Sequence, residues 1–195
     1  MTVSFEPARC AVLSMDCQVA IVEAYTKHDE SFVDRAAAVL EAARAAKIRV
    51  MHVQVGFRPN SPEISARNTL FSSIKTSARH QQMFQGRAGA IHPALAPKAD
   101  EVVITKHRVS AFTGTDLDMI LRANEIETVI LLGIATSGVV LSTLADAFDL
   151  DYRVVVVKDA CADIDRDLHE CLIDRFFPKR ATVISATEFQ GALKH

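Results

Sequence analysis

Six short apolar runs recur along the chain, each rich in valine, isoleucine or leucine and nearly free of alternating polar residues. Such runs are typical of strands in a parallel sheet, because both faces of those strands are covered. Segments with helical spacing separate them. This alternation predicts a three-layer α/β/α, Rossmann-like domain with a six-stranded, mostly parallel sheet. The predicted strands are residues 10–15, 48–55, 101–105, 128–135, 152–157 and 181–185.

Helix starts are predicted from capping residues between these runs. Ser31 with Asp34 resembles a capping box, and Thr187 with Gln190 indicates another that opens a short C-terminal helix. The remaining predicted helices cover residues 117–123, residues 139–150 and a segment around Leu168, Leu172 and Phe176 that ends at Pro178.

Residues 57–100, called the excursion below, break the alternation. They contain four prolines, two glycines and one weak helical patch at residues 70–84. A connection of this length is longer than is needed to join two elements, which indicates a function of its own. Six basic residues against two acidic ones give it a net charge of +4, although the whole chain carries −2. A cationic segment over an acidic body indicates either a lid for an anionic small molecule or a surface between subunits.

Composition narrows the class of protein. The chain has 195 residues, 49% hydrophobic and 24% charged, which predicts one globular domain over residues 1–195. A net charge of −2 leaves no basic field for a nucleic acid. The N-terminal sequence has no apolar signal segment, so a cytoplasmic location is expected. Residues 128–145 are uncharged, but glycines and hydroxyl residues interrupt them, which favours a buried strand and helix over a membrane span.

Charged side chains follow each of the first three predicted strands, at the edge where ligands of parallel α/β sheets bind. Asp16 follows the first strand and Lys106 the third. If they meet, each can keep the other ionised in a partly desolvated site that holds a proton-transfer group. The alternative is two independent, solvated strand ends. Phe57 and Arg58 follow the second strand, where Arg58 either holds a substrate carboxylate or is a solvated surface residue.

The fourth strand runs through a turn at residues 133–138 straight into a helix. Backbone N–H groups at such a turn face outward beside the positive end of the helix, so they can hold an oxyanion or a carboxylate. The alternative is that Ser137 is an N-cap and that Gly138 eases the turn.

Six blocks of sequence, in order along nearly the whole chain, resemble the isochorismatase-like (cysteine hydrolase) superfamily. The most specific is KHRVSAFTGTDL, followed by GIATSGVVLST, and the others are MDCQ, DAF, YRVVVV and DACAD; they occupy residues 106–117, 133–143, 15–18, 146–148, 152–157 and 159–163. The resemblance implies the strand order 3-2-1-4-5-6, a cis peptide near Ala135 and Thr136, and a homodimer or homotetramer.

The resemblance also implies an active site made of an Asp, a Lys and usually a Cys at the start of the helix after the fourth strand. Asp16 matches the Asp and Lys106 the Lys, but Val139 stands at the cysteine position and cannot attack a carbonyl. Cys17 is not expected to replace it, because alternation turns it to the other face, and Cys161 follows a different strand. Isochorismatases proper also lack this cysteine, carry glycine instead, and cleave a vinyl ether with the Asp acting as acid.

The expected function is therefore a hydrolase of a small, anionic metabolite that breaks a C–N or vinyl-ether bond without a nucleophilic cysteine. Asp16 and Lys106 are the expected catalytic residues. The alternative is a non-catalytic relative that binds a metabolite or serves as an assembly subunit. The expected substrate-binding residues are Phe57, Arg58, Ala135, Thr136, Ser137, Gly138 and Val139.

No metal and no other cofactor is expected, and the expected partners are a small-molecule substrate and further copies of the chain, with neither nucleic acid nor membrane. Nicotinamidase-type relatives hold a metal through an Asp and two His after the second strand. Here His52 lies within that strand, which indicates a core histidine, and His80, His92 and His107 lack zinc spacing. His169 is interpreted as helix surface or a subunit contact.

Overall fold

The computed structural model describes residues 4–194. The strands are β1 (Cys10–Met15), β2 (Arg49–Val55), β3 (Val102–Lys106), β4 (Thr128–Ile134), β5 (Arg153–Ala162) and β6 (Thr182–Ile184). They form one sheet in the order β3-β2-β1-β4-β5-β6, and every neighbouring pair is parallel. The predicted fold class and the strand order implied by the resemblance are both confirmed.

Helices fill the connections between the strands. They are α1 (Val19–Tyr25), α2 (Phe32–Ala45), α3 (Thr69–Thr76), α4 (Ala78–Gln82), α5 (Gly86–Gly89), α6 (Leu117–Ala123), α7 (Leu141–Asp149), α8 (Arg166–Cys171) and α9 (Ala186–Ala192). Wider π-type turns, Thr136–Val140 and Leu172–Phe176, lead into α7 and extend α8. Within residues 4–194, none of the helices has both the length and the apolar character needed to cross a bilayer.

The sheet has a separate apolar core on each face, which makes the domain three-layered. Alternation along β1 sends Val12 to one face and Leu13 to the other. The first core packs α1, α2 and α9 on the sheet through residues such as Phe32 and Phe189. The second core packs α6, α7 and the segment around Phe177. Covering both faces explains why the strands read as continuous apolar runs.

At two helix starts, the capping interactions in the structure differ from the predicted ones. Ser31 precedes α2, but its backbone is helical (φ −88°, ψ −4°) and its side chain makes no capping hydrogen bond. At the C-terminal helix, the capping box is formed by Ser185 and Glu188 rather than by Thr187 and Gln190. The extended backbone of Ser185 (φ −84°, ψ 165°) lets its hydroxyl accept from the Glu188 N–H, which a residue already inside the helix cannot do.

In two connections the helices of the structure differ from the predicted ones. Helix α1 was not predicted, because its seven residues bury only Ile21 and Val22 and so carry too short a periodic pattern. The single helical patch at residues 70–84 is two helices, since Ser77 is extended between them and caps the start of α4.

The excursion is tied to the carboxyl end of β1 by the buried side chain of Gln18. Its amide accepts from the Val55 N–H at 2.8 Å and donates to the carbonyls of Val55 and Gly89, at 3.0 and 2.7 Å. Backbone hydrogen bonds from Val19 to Ala90 and from His92 to Cys17 continue this contact. The two ends of residues 57–89 are therefore both fixed beside the end of β1.

Candidate active site

The structure brings Asp16 and Lys106 together in a buried salt bridge at the carboxyl edge of the sheet. Lys106 Nζ lies 2.8 Å from Asp16 Oδ2, and the two side chains are 3% and 9% exposed. Since β2 lies between β1 and β3, the two side chains and the contact between them together bridge two strand spacings, roughly 10 Å. The Asp16 N–H donates to the carbonyl of Val53 at 2.8 Å, so β2 also fixes the backbone of the aspartate.

One carboxylate oxygen of this pair remains unpaired. Among the described residues, Asp16 Oδ1 is buried and has no hydrogen-bond partner. Burial raises the pKa of Asp16 above its ordinary value, and the Lys106 ammonium opposes part of that increase. Lys106 Nζ also donates to the Arg108 carbonyl at 3.0 Å. An ammonium has three hydrogens, so one is left for a ligand. The pair thus offers one acceptor and one donor side by side.

Gly133 allows β4 to approach the end of β1 beside this pair. Its φ is +135°, and a Cβ atom there would lie 2.0 Å from the Met15 carbonyl oxygen. Asp16, the next residue, is itself in the left-handed region with φ 53°, which aspartate tolerates better than most residues. Only glycine fits at position 133 without displacing the backbone that carries Asp16.

The turn after β4 is held from outside by residues at the end of β5 and in α8. Ser137 donates through its N–H and its hydroxyl to Asp163 Oδ2, both at 2.7 Å. The hydroxyl of Thr136 and His169 Nδ1 lie 2.8 Å apart. The interpretation of Ser137 as an N-cap was therefore wrong, because its hydroxyl binds a distant carboxylate. One of the outward N–H groups expected to hold an oxyanion already has that carboxylate as its partner. The peptide bond between Ile134 and Ala135 is cis, as the resemblance implied.

His169 is half-buried rather than a purely exposed helix residue. Burial lowers its pKa, while acidic neighbours such as Asp163 oppose that change. These contacts are difficult to predict from the sequence, since Asp163 and His169 are 26 and 33 residues from their partners in the turn. One signal that points to them is the position of Asp163 shortly after the fifth apolar run.

Val139, at the position of the family cysteine, is 2% exposed and packs in the second core with residues such as Met15 and Leu144. Cys17 lies in the first core, on the opposite face of the sheet from Val139. Burial raises the pKa of Cys17 to about 12, and it raises the pKa of the Cys161 thiol as well. A thiol must ionise to act as a nucleophile, so neither cysteine is suited to replace the missing one.

The motif between Lys106 and α6 docks on α7 through polar contacts. Ser110 donates to Asp146 Oδ2 at 2.6 Å, and the Ala111 N–H donates to the Thr143 hydroxyl at 3.0 Å. Ser110 and Thr143 are buried, so these hydrogen bonds satisfy groups that would otherwise be costly in the core. They join the Lys106 segment to the helix that follows the turn.

Two cavities open at the carboxyl edge of the sheet. The first, of about 520 Å³, is called the excursion cavity, and its wall includes Phe57, Arg58, Lys75 and Phe84. The second, of about 800 Å³, lies between α1 and α8 and is lined in part by Tyr25, Asp163 and His169. Asp16 and Lys106 are not among the described residues that line either cavity.

His52 has structural partners. His52 Nε2 lies 2.9 Å from Glu101 Oε2, and Arg44 Nε lies 2.7 Å from the other oxygen of that carboxylate. This buried contact supports the interpretation of His52 as a core histidine. Burial raises the pKa of Glu101. Hydrogen bonds from Arg44, the Lys98 backbone and His52 outweigh this effect and lower that pKa to about 2. Within residues 4–194, no three His, Cys, Asp or Glu side chains converge to hold a metal ion.

Comparison with known proteins places this geometry in a family. The isochorismatase domain matches residues 10–188. The maleamate amidohydrolase of Pseudomonas putida is 29% identical over 164 residues, 84% of this chain and 75% of that protein. The ureidoacrylate amidohydrolase RutB of Methylorubrum extorquens is 36% identical over 138 residues, 66% of this chain and 56% of that protein.

Solved structures agree with the sequence comparison. An isochorismatase family protein from Burkholderia thailandensis superposes with a TM-score of 0.86 at 31% identity, and the match covers 98% of both chains. The domain match spans both Asp16 and Lys106 as well as the turn after β4. This chain belongs to the isochorismatase family.

Proposed function

We propose that this protein is a hydrolase of a small, anionic metabolite that cleaves a C–N or vinyl-ether bond without a nucleophilic cysteine. The observation that carries the proposal is the buried Asp16–Lys106 pair, 2.8 Å apart, with Asp16 Oδ1 unpaired among the described residues. A buried carboxylate with a free oxygen and a raised pKa is suited to move a proton at a reacting atom.

In this mechanism Asp16 acts as the general acid or base. On an amide or ureide it takes a proton from the attacking water through Oδ1 and passes it to the leaving nitrogen. On a vinyl ether it gives a proton to the alkene carbon, and water adds to the resulting oxocarbenium ion and returns a proton to Asp16. The hemiketal so formed then breaks its C–O bond to give a carbonyl compound and an alcohol. The remaining hydrogen of Lys106 Nζ stabilises negative charge on the substrate oxygen. The curated amidohydrolase relatives support the C–N bond as the first choice.

The substrate-binding residues in this proposal surround the pair. We expect the turn from Ala135 to Val139, which includes Thr136, Ser137 and Gly138, to contact the substrate on one side. Phe57 and Arg58, which line the excursion cavity, are expected to contact it on the other. Arg58 supports an anionic substrate, because a guanidinium binds carboxylates in a bidentate manner.

The test is hydrolysis of a panel of small amides, ureas and vinyl ethers by the natural protein and by Asp16→Asn. The variant should lose about 10²- to 10⁴-fold in kcat/KM, the usual contribution of a general acid or base. Asp149→Asn, at an exposed position, is the matched control and should be unaffected. Far-UV circular dichroism checks that each variant is folded. Full turnover by folded Asp16→Asn would refute the proposal.

The burial of Val139 favours a second candidate, a family member that binds a metabolite without turning it over. In that case the natural protein is inactive on the whole panel, and Val139→Cys alone produces amidase activity. Activity of the natural protein that depends on Asp16 excludes this candidate.

A further inference from the structure

The excursion cavity begins beside the strand end that carries the catalytic lysine proposed above. The Gly56 N–H donates to the Lys106 carbonyl at 3.1 Å, and His107 Nδ1 donates to the Gly56 carbonyl at 2.6 Å. Phe57 and Arg58, which follow Gly56 directly, line the cavity. A molecule held in it therefore lies beside the strand end that carries Lys106.

The charge of this cavity is positive. Arg58 and Lys75 line it, and no acidic residue does so within the described part of the chain. The Arg58 side chain is 62% exposed, and its Nη1 lies 3.7 Å from Glu63 Oε1. That oxygen already accepts the Arg58 backbone N–H at 2.8 Å, and Arg58 Nη1 also lies 3.3 Å from His107 Nε2. These loose contacts leave the guanidinium able to bind a further anion.

The remaining wall is apolar and angular. The rings of Phe57 and Phe84 have centroids 5.4 Å apart and planes at 79°, and Ile74 lies beside them. Two rings nearly at right angles form a corner in which a flat group can contact one face and one edge. The volume, about 520 Å³, equals that of roughly 17 liquid water molecules, more than a short-chain acid fills.

We infer that the excursion cavity binds a carboxylic acid with a flat, apolar body, its carboxylate on Arg58 and Lys75 and its body in the Phe57–Phe84 corner. This inference rests on the proposed function and narrows its substrate class to aromatic or extended unsaturated carboxylic acids. The scissile group is then at the end of the molecule nearest Lys106. A short acid forms the charge contacts but leaves the corner empty, and a neutral analogue fills the corner without the charge contacts.

The experiment measures binding of para-fluorocinnamate by fluorine NMR titration, with para-fluorocinnamyl alcohol as the neutral probe and trifluoroacetate as the short acid. Arg58→Gln and Lys75→Gln each remove one cation from the cavity. Arg87→Gln, an exposed cation of the same excursion outside the cavity lining, is the matched control for net charge. Asp16→Asn is included because it removes catalysis in the proposed mechanism while leaving the cavity unchanged.

The inference predicts that para-fluorocinnamate binds saturably to the natural protein and to Asp16→Asn. Arg58→Gln and Lys75→Gln should each weaken this binding about tenfold or more, whereas Arg87→Gln should not. The alcohol and trifluoroacetate should each bind about tenfold more weakly than the acid. Absence of saturable binding, equal effects of the three charge variants, or equal affinity for the acid and either other probe overturns it. Because binding is read without turnover, this result is separate from the Asp16→Asn hydrolysis test.

Discussion

Removing the ammonium of Lys106 should destabilise the fold by an amount that depends on pH. Lys106→Met keeps most of the stem but leaves the Asp16 carboxylate without its partner 2.8 Å away, in a site where both side chains are nearly excluded from water. At an effective dielectric constant of about 20, two unit charges at this distance attract by roughly 6 kcal/mol. Desolvation of both groups cancels part of this, and losing one member of a buried pair typically costs about 3–5 kcal/mol.

Protonation of Asp16 sets an upper limit to that loss. With an unfolded-state pKa of about 3.9, placing a proton on the carboxyl group at about pH 7 costs roughly 4 kcal/mol. The variant should therefore lose about 3–4 kcal/mol of unfolding free energy at neutral pH. Its folded state then binds a proton that the unfolded state has released. Stability of the variant consequently falls as pH rises, by about 1.4 kcal/mol per pH unit between about pH 4 and pH 7.

Urea denaturation followed by far-UV circular dichroism, from about pH 4.5 to about pH 7.5, measures this difference against the natural protein at each pH. Lys98→Met is the control, because Lys98 is half-exposed and 3.6 Å from Glu41. It should change stability by less than about 1 kcal/mol. The double variant Asp16→Asn/Lys106→Met removes both charges and should recover most of the loss and abolish the slope. A loss independent of pH, or a double variant no more stable than Lys106→Met, would refute the reasoning.

Three further predictions concern other parts of the fold. Glu101 has a pKa of about 2 against an ordinary 4.5, so it should contribute about 3 kcal/mol to the unfolding free energy above pH 4.5, and this contribution is lost as pH falls toward 2. Glu101→Gln should lose this stability, and its unfolding free energy, measured by urea denaturation, should depend less on pH in this range. Gly133→Ala, whose Cβ would lie 2.0 Å from the Met15 carbonyl, should lower Tm by much more than Gly114→Ala, which meets no atom within 4 Å; equal shifts in thermal melts would contradict this. Cys171 alone of the four thiols is exposed, so a thiol reagent should titrate one cysteine rapidly in the native protein and all four in urea; rapid native titration of more than one contradicts the burial of the others.

The strands were predictable because burial on both faces of a sheet requires apolar residues at consecutive positions, which are visible in the sequence. Apolar residues dominate each run, so strand positions and fold class follow without knowledge of contacts. β5 was the exception, since it continues to Ala162 whereas the apolar run ends at Val157. Lys158 and Asp159 interrupt the run, and their places at the edge of the sheet depend on neighbours that the sequence does not specify.

The candidate site was predictable in part for a related reason. Strand ends meet at one edge of a parallel sheet, so Asp16 and Lys106 could be selected as a pair, although their approach to 2.8 Å depended on strand order. The contacts of Ser137 and His169 were missed because they join the turn to β5 and α8 across long sequence separations. A hydroxyl at the start of a helix also has a local explanation, an N-cap, which was the wrong one here.

The way Gln18 anchors the excursion has a consequence for how this protein can change over evolutionary time. The chain leaves the sheet after Val55 and comes back beside the end of β1 at Gly89, and the side-chain amide of Gln18 bonds to both points. The distance between Val55 and Gly89 is thus set by their shared contact with Gln18 and not by the chain between them. Closing a longer loop between fixed ends costs little, about 0.6 kcal/mol for each doubling of length. Insertions, deletions and exchanges within this stretch can therefore accumulate while the salt bridge at the sheet edge keeps its geometry, so new ligand preferences can arise on an unaltered scaffold.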